Sequence, residues 1–474
     1  MARDSALNDL LITNGMVVTA DKKVRADIHV LGEKIAKIAP ALSRKLPANP
    51  ARRVIDAKGC FVFPGGIDAH THMELPLKET SSSDTFESGT LAALHGGTTT
   101  ILDFANQVRG GTLKGALDEW HAKARGKAAC DYGFHVSVTD FNERTRREIR
   151  TCMDQGVTSF KTFTAYKGSL MIDDRQMIEV MKEVRDAGGI VLTHAENGDL
   201  IDHLIERFRA EGHYEPRYHA LSRPPLAEAE AVSRIIDLAN FANCPLYIVH
   251  LSSGAGLKRA LGARPGRAPV FLETCIQYLL LNESAYSKPG FEGAKYVLSP
   301  PLRGRGDQKA LWAGLASDAV SVVATDHCPF MMAQRELGRK DFSRIPNGIP
   351  GVEHRMELLY SEGVAKGRIS LEKFVELTSS RAAKIFGLYP RKGAFRPGAD
   401  ADIVIFDPKV RHVISSRTHH MKCDYSVYEG HRLQGKCRTI ILRGQVAVDN
   451  GIARVGRGFG RFLSREKFRR DFRT

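Results

Sequence analysis

Long apolar runs are missing from this 474-residue chain. None could span a bilayer, and the stretch from Met1 to Asp9 lacks the apolar core of a signal peptide, so a membrane partner is not expected and the cytoplasm is. Paired cysteines are missing too. The eight cysteines are scattered and form no Cys-x-x-Cys, and several lie in apolar stretches, as Cys275 does in Phe271-Leu272-Glu273-Thr274-Cys275. They read as free buried thiols rather than disulfides or a zinc ribbon. There is no internal repeat, low-complexity segment, zinc finger, RNP signature or heptad. The formal charge of +15 is thus left without a nucleic-acid motif, and the tail from Gly451 onward alone holds eight Arg and Lys against Glu466 and Asp471. Nucleic acid is not expected as a partner.

What is present is a repeating pattern. Short, almost continuously apolar runs alternate with helical patterns between about Cys60 and Asp326. The runs are Cys60–Ile67, Thr98–Phe104, Gly133–Val138, Val157–Phe163, Gly189–His194, Pro245–Leu251, Pro269–Thr274 and Val320–Thr325. Runs of this kind suit parallel strands covered on both faces. Asp84 with Glu87 suggests a capping box for a helix that stops before Gly96-Gly97. Asp173 or Asp174 caps another, whose apolar face is Met177, Ile178, Met181 and Val184. Strand–helix alternation repeated eight times predicts an α/β chain folded as a (β/α)₈ TIM-like barrel, although a doubly wound open sheet shares the pattern. The flanks differ. Leu10–Ile38, Asp402–Phe406, Thr439–Leu442 and Gln445–Val448 are short alternating segments with turn residues. They predict one small β-sandwich built from both chain ends. The expected divisions are 1–60 and 391–455 for the sandwich, 61–390 for the barrel, and 456–474 for an exposed basic arm.

Polar residues at the ends of the apolar runs are the candidate site. His70 and His72 follow the first run, two residues apart, so both imidazoles can reach one ion. His194, His250 and Asp326 end the fifth, sixth and eighth runs, at the end of the strands where barrel enzymes place their chemistry. Lys161 lies inside an apolar run, where burying an ammonium is costly. It is either a lysine reaching out to water or a desolvated amine of lowered pKa able to react with carbon dioxide.

Seven stretches, in this order, resemble the hydantoinase/dihydropyrimidinase branch of the amidohydrolase superfamily over nearly the whole chain. They are Gly66-Ile67-Asp68-Ala69-His70-Thr71-His72, Ser159-Phe160-Lys161 through Tyr166, His194-Ala195-Glu196-Asn197, Val249-His250-Leu251-Ser252, Ser299-Pro300-Pro301-Leu302-Arg303, Thr325-Asp326-His327-Cys328-Pro329-Phe330 and Ile345-Pro346-Asn347-Gly348-Ile349-Pro350. The resemblance implies two zinc ions per chain. One would be held by His70, His72, Asp326 and Lys161 as N6-carboxylysine, and the other by Lys161, His194 and His250. A bridging hydroxide would attack the ring amide of a dihydropyrimidine or 5-substituted hydantoin to give an N-carbamoyl amino acid. Asp326 would carry the proton, Tyr166 would donate to the oxyanion, and Ser299 and Asn347 would grip the cyclic amide through their main chains. A homotetramer is implied as well, with the apolar residues Phe459, Phe462, Leu463, Phe468 and Phe472 of the arm suited to docking on a partner subunit.

The rivals are dihydroorotase, allantoinase, a cyclic imidase and a scaffold of the same fold that has lost its metal ligands. This chain keeps every ligand. Dihydroorotases usually have an arginine where this chain has Glu74, which is expected to repel a ring carboxylate; Arg303 and Lys78 are the other sources of positive charge. Allantoinases usually show Asn-Glu-Pro where this chain has Glu74-Leu75-Pro76. The segment Leu75–Thr80 also lacks the aromatic that many hydantoinases place near Leu77.

Overall fold

An apolar run with two covered faces needs an inner and an outer layer to bury them, and the chain supplies both. In the computed structural model, which describes residues 9–50, 52–263 and 266–469, eight strands lie side by side in chain order, each parallel to the next. They are Gly66–Thr71, Thr98–Asn106, Asp131–Ser137, Ser159–Phe163, Ile190–His194, Leu246–Ile248, Val270–Cys275 and Val322–Ala324. Alternate residues share a face. Leu102, Phe104, Ile190 and Leu192 therefore fill the interior with Tyr247 and Phe271, while Ile101, Ala105 and Val191 pack outward with the helices. The ring closes between the last strand and the first. Asp68 accepts from Thr325 N at 3.2 Å and Thr325 Oγ1 at 2.6 Å, and Thr71 forms a parallel bridge with His327.

The first helix, Phe86–His95, is capped one residue later than expected. Thr85 and Ser88 form the box, while Asp84 is buried and accepts from His327 Nε2 at 3.0 Å. Asp173 rather than Asp174 caps the helix Asp174–Ala187, which ends at Gly188 in the left-handed region (φ 87°).

The run Cys60–Ile67 is two strands, not one. Phe61–Pro64 pairs with Ile403–Phe406, and only from Gly66 does the chain enter the barrel. At the junction a Cβ on Gly65 would sit 2.1 Å from Thr99 Oγ1, so the chain can turn there only as glycine. Phe61–Pro64 belongs to a seven-stranded sheet that draws its other strands from 16–25 and 403–453. This sheet packs on a four-stranded one made of Asp9–Thr13, Asp27–Leu31, Lys34–Ala39 and Arg53–Asp56. Their shared core joins Leu10, Ile12 and Ile28 to Val62, Ile403 and Ile441, so neither chain end can bury its apolar face without the other.

The last described residues correct the expectation of an exposed arm. Residues 458–468 run along the N-terminal end of the barrel, where Leu463 N donates to Tyr132 O (2.7 Å), Arg465 N to Gly156 O (3.0 Å) and Phe468 N to Gly188 O (2.9 Å). Leu463 is fully buried and Phe468 nearly so, both in the barrel's inner core. Phe459 and Phe462 pack on the same chain, and Phe472 lies outside the described residues. The physical reason is that a barrel has two open ends and the lower one needs an apolar plug. Beside this strap, Lys392 is buried between Asp131 (2.7 Å), Asp402 (2.6 Å) and Asp400 (3.1 Å), tying the barrel to the sandwich. All eight cysteines are buried, and none is bonded to another cysteine. Among the described residues no helix is long and apolar enough to cross a membrane.

Candidate active site

His70, His72, Lys161, His194, His250 and Asp326 meet at the C-terminal mouth of the barrel and share a cavity of about 950 Å³ with Tyr166, Ser299 and Asn347. Simple alternation puts some of them there. Lys161 shares a face with Ser159, and His194 with Ile190 and Leu192. The two histidines of the first strand need more. Ile67 and Ala69 already point inward, so His70 and His72 would face out in a regular strand. A register shift between Asp68 and Thr71 adds one residue and turns both imidazoles in. His250, Asp326 and Tyr166 leave their strands through left-handed backbone (φ 39°, 52° and 67°), the conformation that aims them at one point.

Ligand atoms of His70, His72 and Asp326 all lie within 4.8 Å of one another. Asp326 Oδ1 is 3.1 Å from His70 Nε2 and 3.0 Å from His72 Nε2. His70 Nε2 is buried and, despite that short contact, makes no well-aligned hydrogen bond. His194 Nδ1 and His250 Nε2 face each other at 3.0 Å. Buried nitrogens left unpaired or facing one another are costly unless a cation accepts their lone pairs, so this donor set fits a metal. Burial works against a charged His70, but the Asp326 and Glu273 carboxylates outweigh it and raise its pKa to about 8. Burial works against ionising Asp326 as well, yet His70 and His72 hold its carboxyl well below the usual range.

Lys161 is buried, and its side-chain nitrogen lies 4.6 Å from the centre of the Phe104 ring. Burial lowers its pKa to about 8. The lysine is thus a desolvated amine inside the barrel, not one reaching out to water. Burial raises the Tyr166 phenol to about 12, so it stays a donor at any ordinary pH. Ser299 lies beside that hydroxyl, and Asn347 has a buried side-chain oxygen with no hydrogen-bond partner.

Glu74 does not do what the sequence suggests. Its carboxylate accepts from Phe86 N at 3.0 Å, at the N-terminus of the first helix, and it is not part of the cavity wall. It is therefore turned to the helix N-terminus and not into the cavity. Arg303 is unavailable for the opposite reason. It is buried, with Nε donating to Ser252 Oγ at 3.0 Å and Nη1 to Arg223 O. Lys78 is exposed on the cavity rim.

Three buried charged residues beside the site, Glu273, Glu196 and Arg223, have no role in the sequence reading. Glu273 accepts from His70 Nδ1 (2.8 Å), His250 N (2.9 Å) and Tyr247 OH (2.8 Å). It stands inside an apolar run just as Lys161 does, and the same signal marks it. Glu196 takes the other nitrogen of His194 (2.9 Å) and is itself bound by Arg223 (2.8 Å). Nothing in the local sequence marks Arg223, whose partner is 27 residues away.

Residues 61–446 match the Amidohydrolase family. The chain is 48% identical over 456 residues to a D-hydantoinase of Streptomyces coelicolor, covering 96% of this chain and 97% of that one. Among solved structures it is similar to a dihydropyrimidinase from Brevibacillus agri, with a TM-score of 0.95 and 45% identity over 98% of this chain and all of the other. The likeness extends to an L-hydantoinase (dihydropyrimidinase) from Arthrobacter aurescens, with a TM-score of 0.88 and 29% identity over 97% of this chain and 100% of that one.

Proposed function

The chain belongs to the amidohydrolase family, in its hydantoinase and dihydropyrimidinase branch, and from that premise we propose that it opens neutral cyclic amides, dihydropyrimidines or 5-substituted hydantoins, to N-carbamoyl amino acids. It is a cyclic amidohydrolase, and its family is metal-dependent. The observation that carries the finer reading is the cluster of buried His70 and Asp326 with His72, whose ligand atoms gather within 4.8 Å of one another.

In this proposal two zinc ions are held by His70, His72, Asp326, His194, His250 and the N6-carboxylated Lys161. A neutral amine at Lys161 adds to carbon dioxide, forms the N–C bond and releases a proton, and the low pKa set by burial supplies that neutral amine. Bound ions supply acidified water and polarise the ring carbonyl. The chain's own residues do the rest. Asp326 takes the proton of the attacking water as its oxygen bonds to the carbonyl carbon, then delivers it to the ring nitrogen as the C–N bond breaks. Tyr166 donates to the oxyanion, and main-chain groups at Ser299 and Asn347 hold the amide in place. Leu75, Leu77, Phe163, Leu170 and Ile345 give the cavity an apolar wall for a ring substituent. A cytoplasmic homotetramer completes the proposal. Cysteines without disulfides suit a reducing compartment, and exposed Leu226 and Phe241 are apolar surface for a neighbour.

The preference for neutral rings now rests on the missing arginine alone. A ring carboxylate would lose a charge-assisted contact, about 1.5–3 kcal/mol, or roughly ten- to a hundredfold in kcat/KM. Elemental analysis should find about two divalent ions per chain. A panel of dihydrouracil, hydantoins, dihydroorotate, allantoin and succinimide should show at least about tenfold preference for the first two over dihydroorotate. Full activity without metal would end the proposal. Equal turnover of dihydroorotate would end the substrate assignment only.

A further inference from the structure

Behind the cavity wall lie four charged side chains, Glu196, Arg223, Glu228 and Arg303, each no more than 5% exposed. None lines the cavity. Together they are electrically neutral. Arg223 Nη1 donates to Glu196 Oε2 (2.8 Å), the same oxygen that faces His194 Nε2 (2.9 Å). The Arg223 guanidinium also lies over the Tyr166 ring, 5.4 Å from its centre. On the far side Arg303 donates to the Arg223 carbonyl and to Ser252 Oγ, while Glu228 accepts from Ser252 N (2.8 Å) and Ser253 N (2.8 Å).

A buried ion pair is a poor way to gain stability, since apolar side chains of the same volume often fold as well or better. What this pair does is geometric. Glu196 holds the proton of His194 on Nε2, which leaves the Nδ1 lone pair facing His250. The flat cation against the Tyr166 ring backs an aromatic residue that sits on left-handed backbone (φ 67°). Arg223 reaches both arms by a polar or cationic contact, while the Tyr166 and His194 rings themselves lie 5.1 Å apart.

We propose that Arg223 is a positioning residue that, through Glu196 and through the Tyr166 ring, fixes the metal-ligand face of His194 and the hydroxyl of Tyr166 in register. The proposal rests on the functional reading above, so the metal-loaded wild type is assayed first, and a wild type without cyclic-amide hydrolysis counts against that reading. Two variants then test the inference. Arg223→Lys keeps the charge but loses the planar group. The paired change Glu196→Gln with Arg223→Met removes one charge of each sign and leaves Arg303 and Glu228 balanced, so no uncompensated charge stays buried and it serves where the single variant fails to fold. Both should lower kcat by about 10- to 100-fold with KM changed far less, and both should bind less metal. Tyr166→Phe should cost much less in the Arg223→Lys background than in the wild type, because the two act through one hydroxyl. A crystal structure of the paired variant, which needs no turnover, should show Tyr166 displaced from Ser299. A lowered melting temperature with wild-type kcat per folded molecule, additive losses with Tyr166→Phe, or an undisturbed Tyr166 in the paired variant would each overturn the proposal.

Discussion

Replacing Glu273 with glutamine should weaken metal binding without unfolding the barrel. The fully buried carboxylate accepts three hydrogen bonds on two oxygens: His70 Nδ1 and His250 N on Oε1, and Tyr247 OH on Oε2. A glutamine has one acceptor oxygen. Placed at Oε1 it keeps the two nitrogens, and its amide then meets Tyr247, whose hydroxyl can rotate to accept. Shape and hydrogen-bond count survive, and what is lost is the charge. A charge-assisted hydrogen bond is worth about 1.5–3 kcal/mol and a neutral one about 0.5–1.5, so two bonds on the retained oxygen lose roughly 2–3 kcal/mol at most. Part of that falls on His70 as a ligand, through weaker electron donation from its Nε2. The expected result is a ten- to hundredfold loss of metal affinity, about 1.4–2.7 kcal/mol. Competition against a chelator of known affinity at neutral pH measures it, with a thermal melt of the metal-free protein as the control for folding. Glu273→Ala should be worse, because it leaves all three donors unmet. Zinc affinity within about twofold of wild type in Glu273→Gln would show that the carboxylate only fills space, and the reasoning would fail.

Three other outcomes follow from the same structure. Lys161→Ala should lose most of its metal and activity, and short carboxylic acids should partly restore both; unchanged metal content by elemental analysis would refute the bridging role. At Asp400, burial acts to raise the pKa, but Lys392 with Lys34 outweighs it and holds it at about 2, against an ordinary 3.8. The stability this carboxylate adds is therefore complete above about pH 4 and is lost as pH falls towards 2, so the melting-temperature gap between wild type and Asp400→Asn should close over that range; a constant gap would contradict it. Leu463→Ala should destabilise the protein by about 2–4 kcal/mol in denaturant melts while leaving kcat unchanged, since Leu463 is fully buried at the end of the barrel away from the site; a change near zero would restore the picture of a free arm.

The barrel strands were legible because both their faces are buried, so each run is nearly all apolar and its ends stand out. For that reason His194 and Asp326 could be placed from their position in a run, and Lys161 from being a charge within one. Glu273 carries the same signal and was passed over, because a single acid in a strand says nothing of three donors on other strands. The inward turn of His70 and His72 depends on an extra residue in the pairing of the first two strands, and pairing register is not written in either strand alone. Glu74 was misread for a related reason. Its distance in sequence from His72 is fixed, but its direction follows from a left-handed backbone (φ 51°) and from the helix N-terminus that captures it. The strap was misread because basic residues between aromatics look the same on a solvated tail and on one laid across a barrel.

The sandwich built from both ends of the chain sets a timetable for synthesis. Phe61–Pro64 leaves the ribosome about 340 residues before Ile403–Phe406, the strand it pairs with. At about 5–20 residues per second, that strand waits roughly 20–70 s with its hydrogen-bonding edge open. Val62 and Phe63, fully buried in the finished protein, stay uncovered for the same interval. The barrel can gather helix by helix in the meantime, but its lower end is sealed only when Leu463 arrives. The nascent chain is thus sticky for most of its birth, and the yield of soluble protein should depend on growth temperature and on chaperone supply more than on the stability of the native fold.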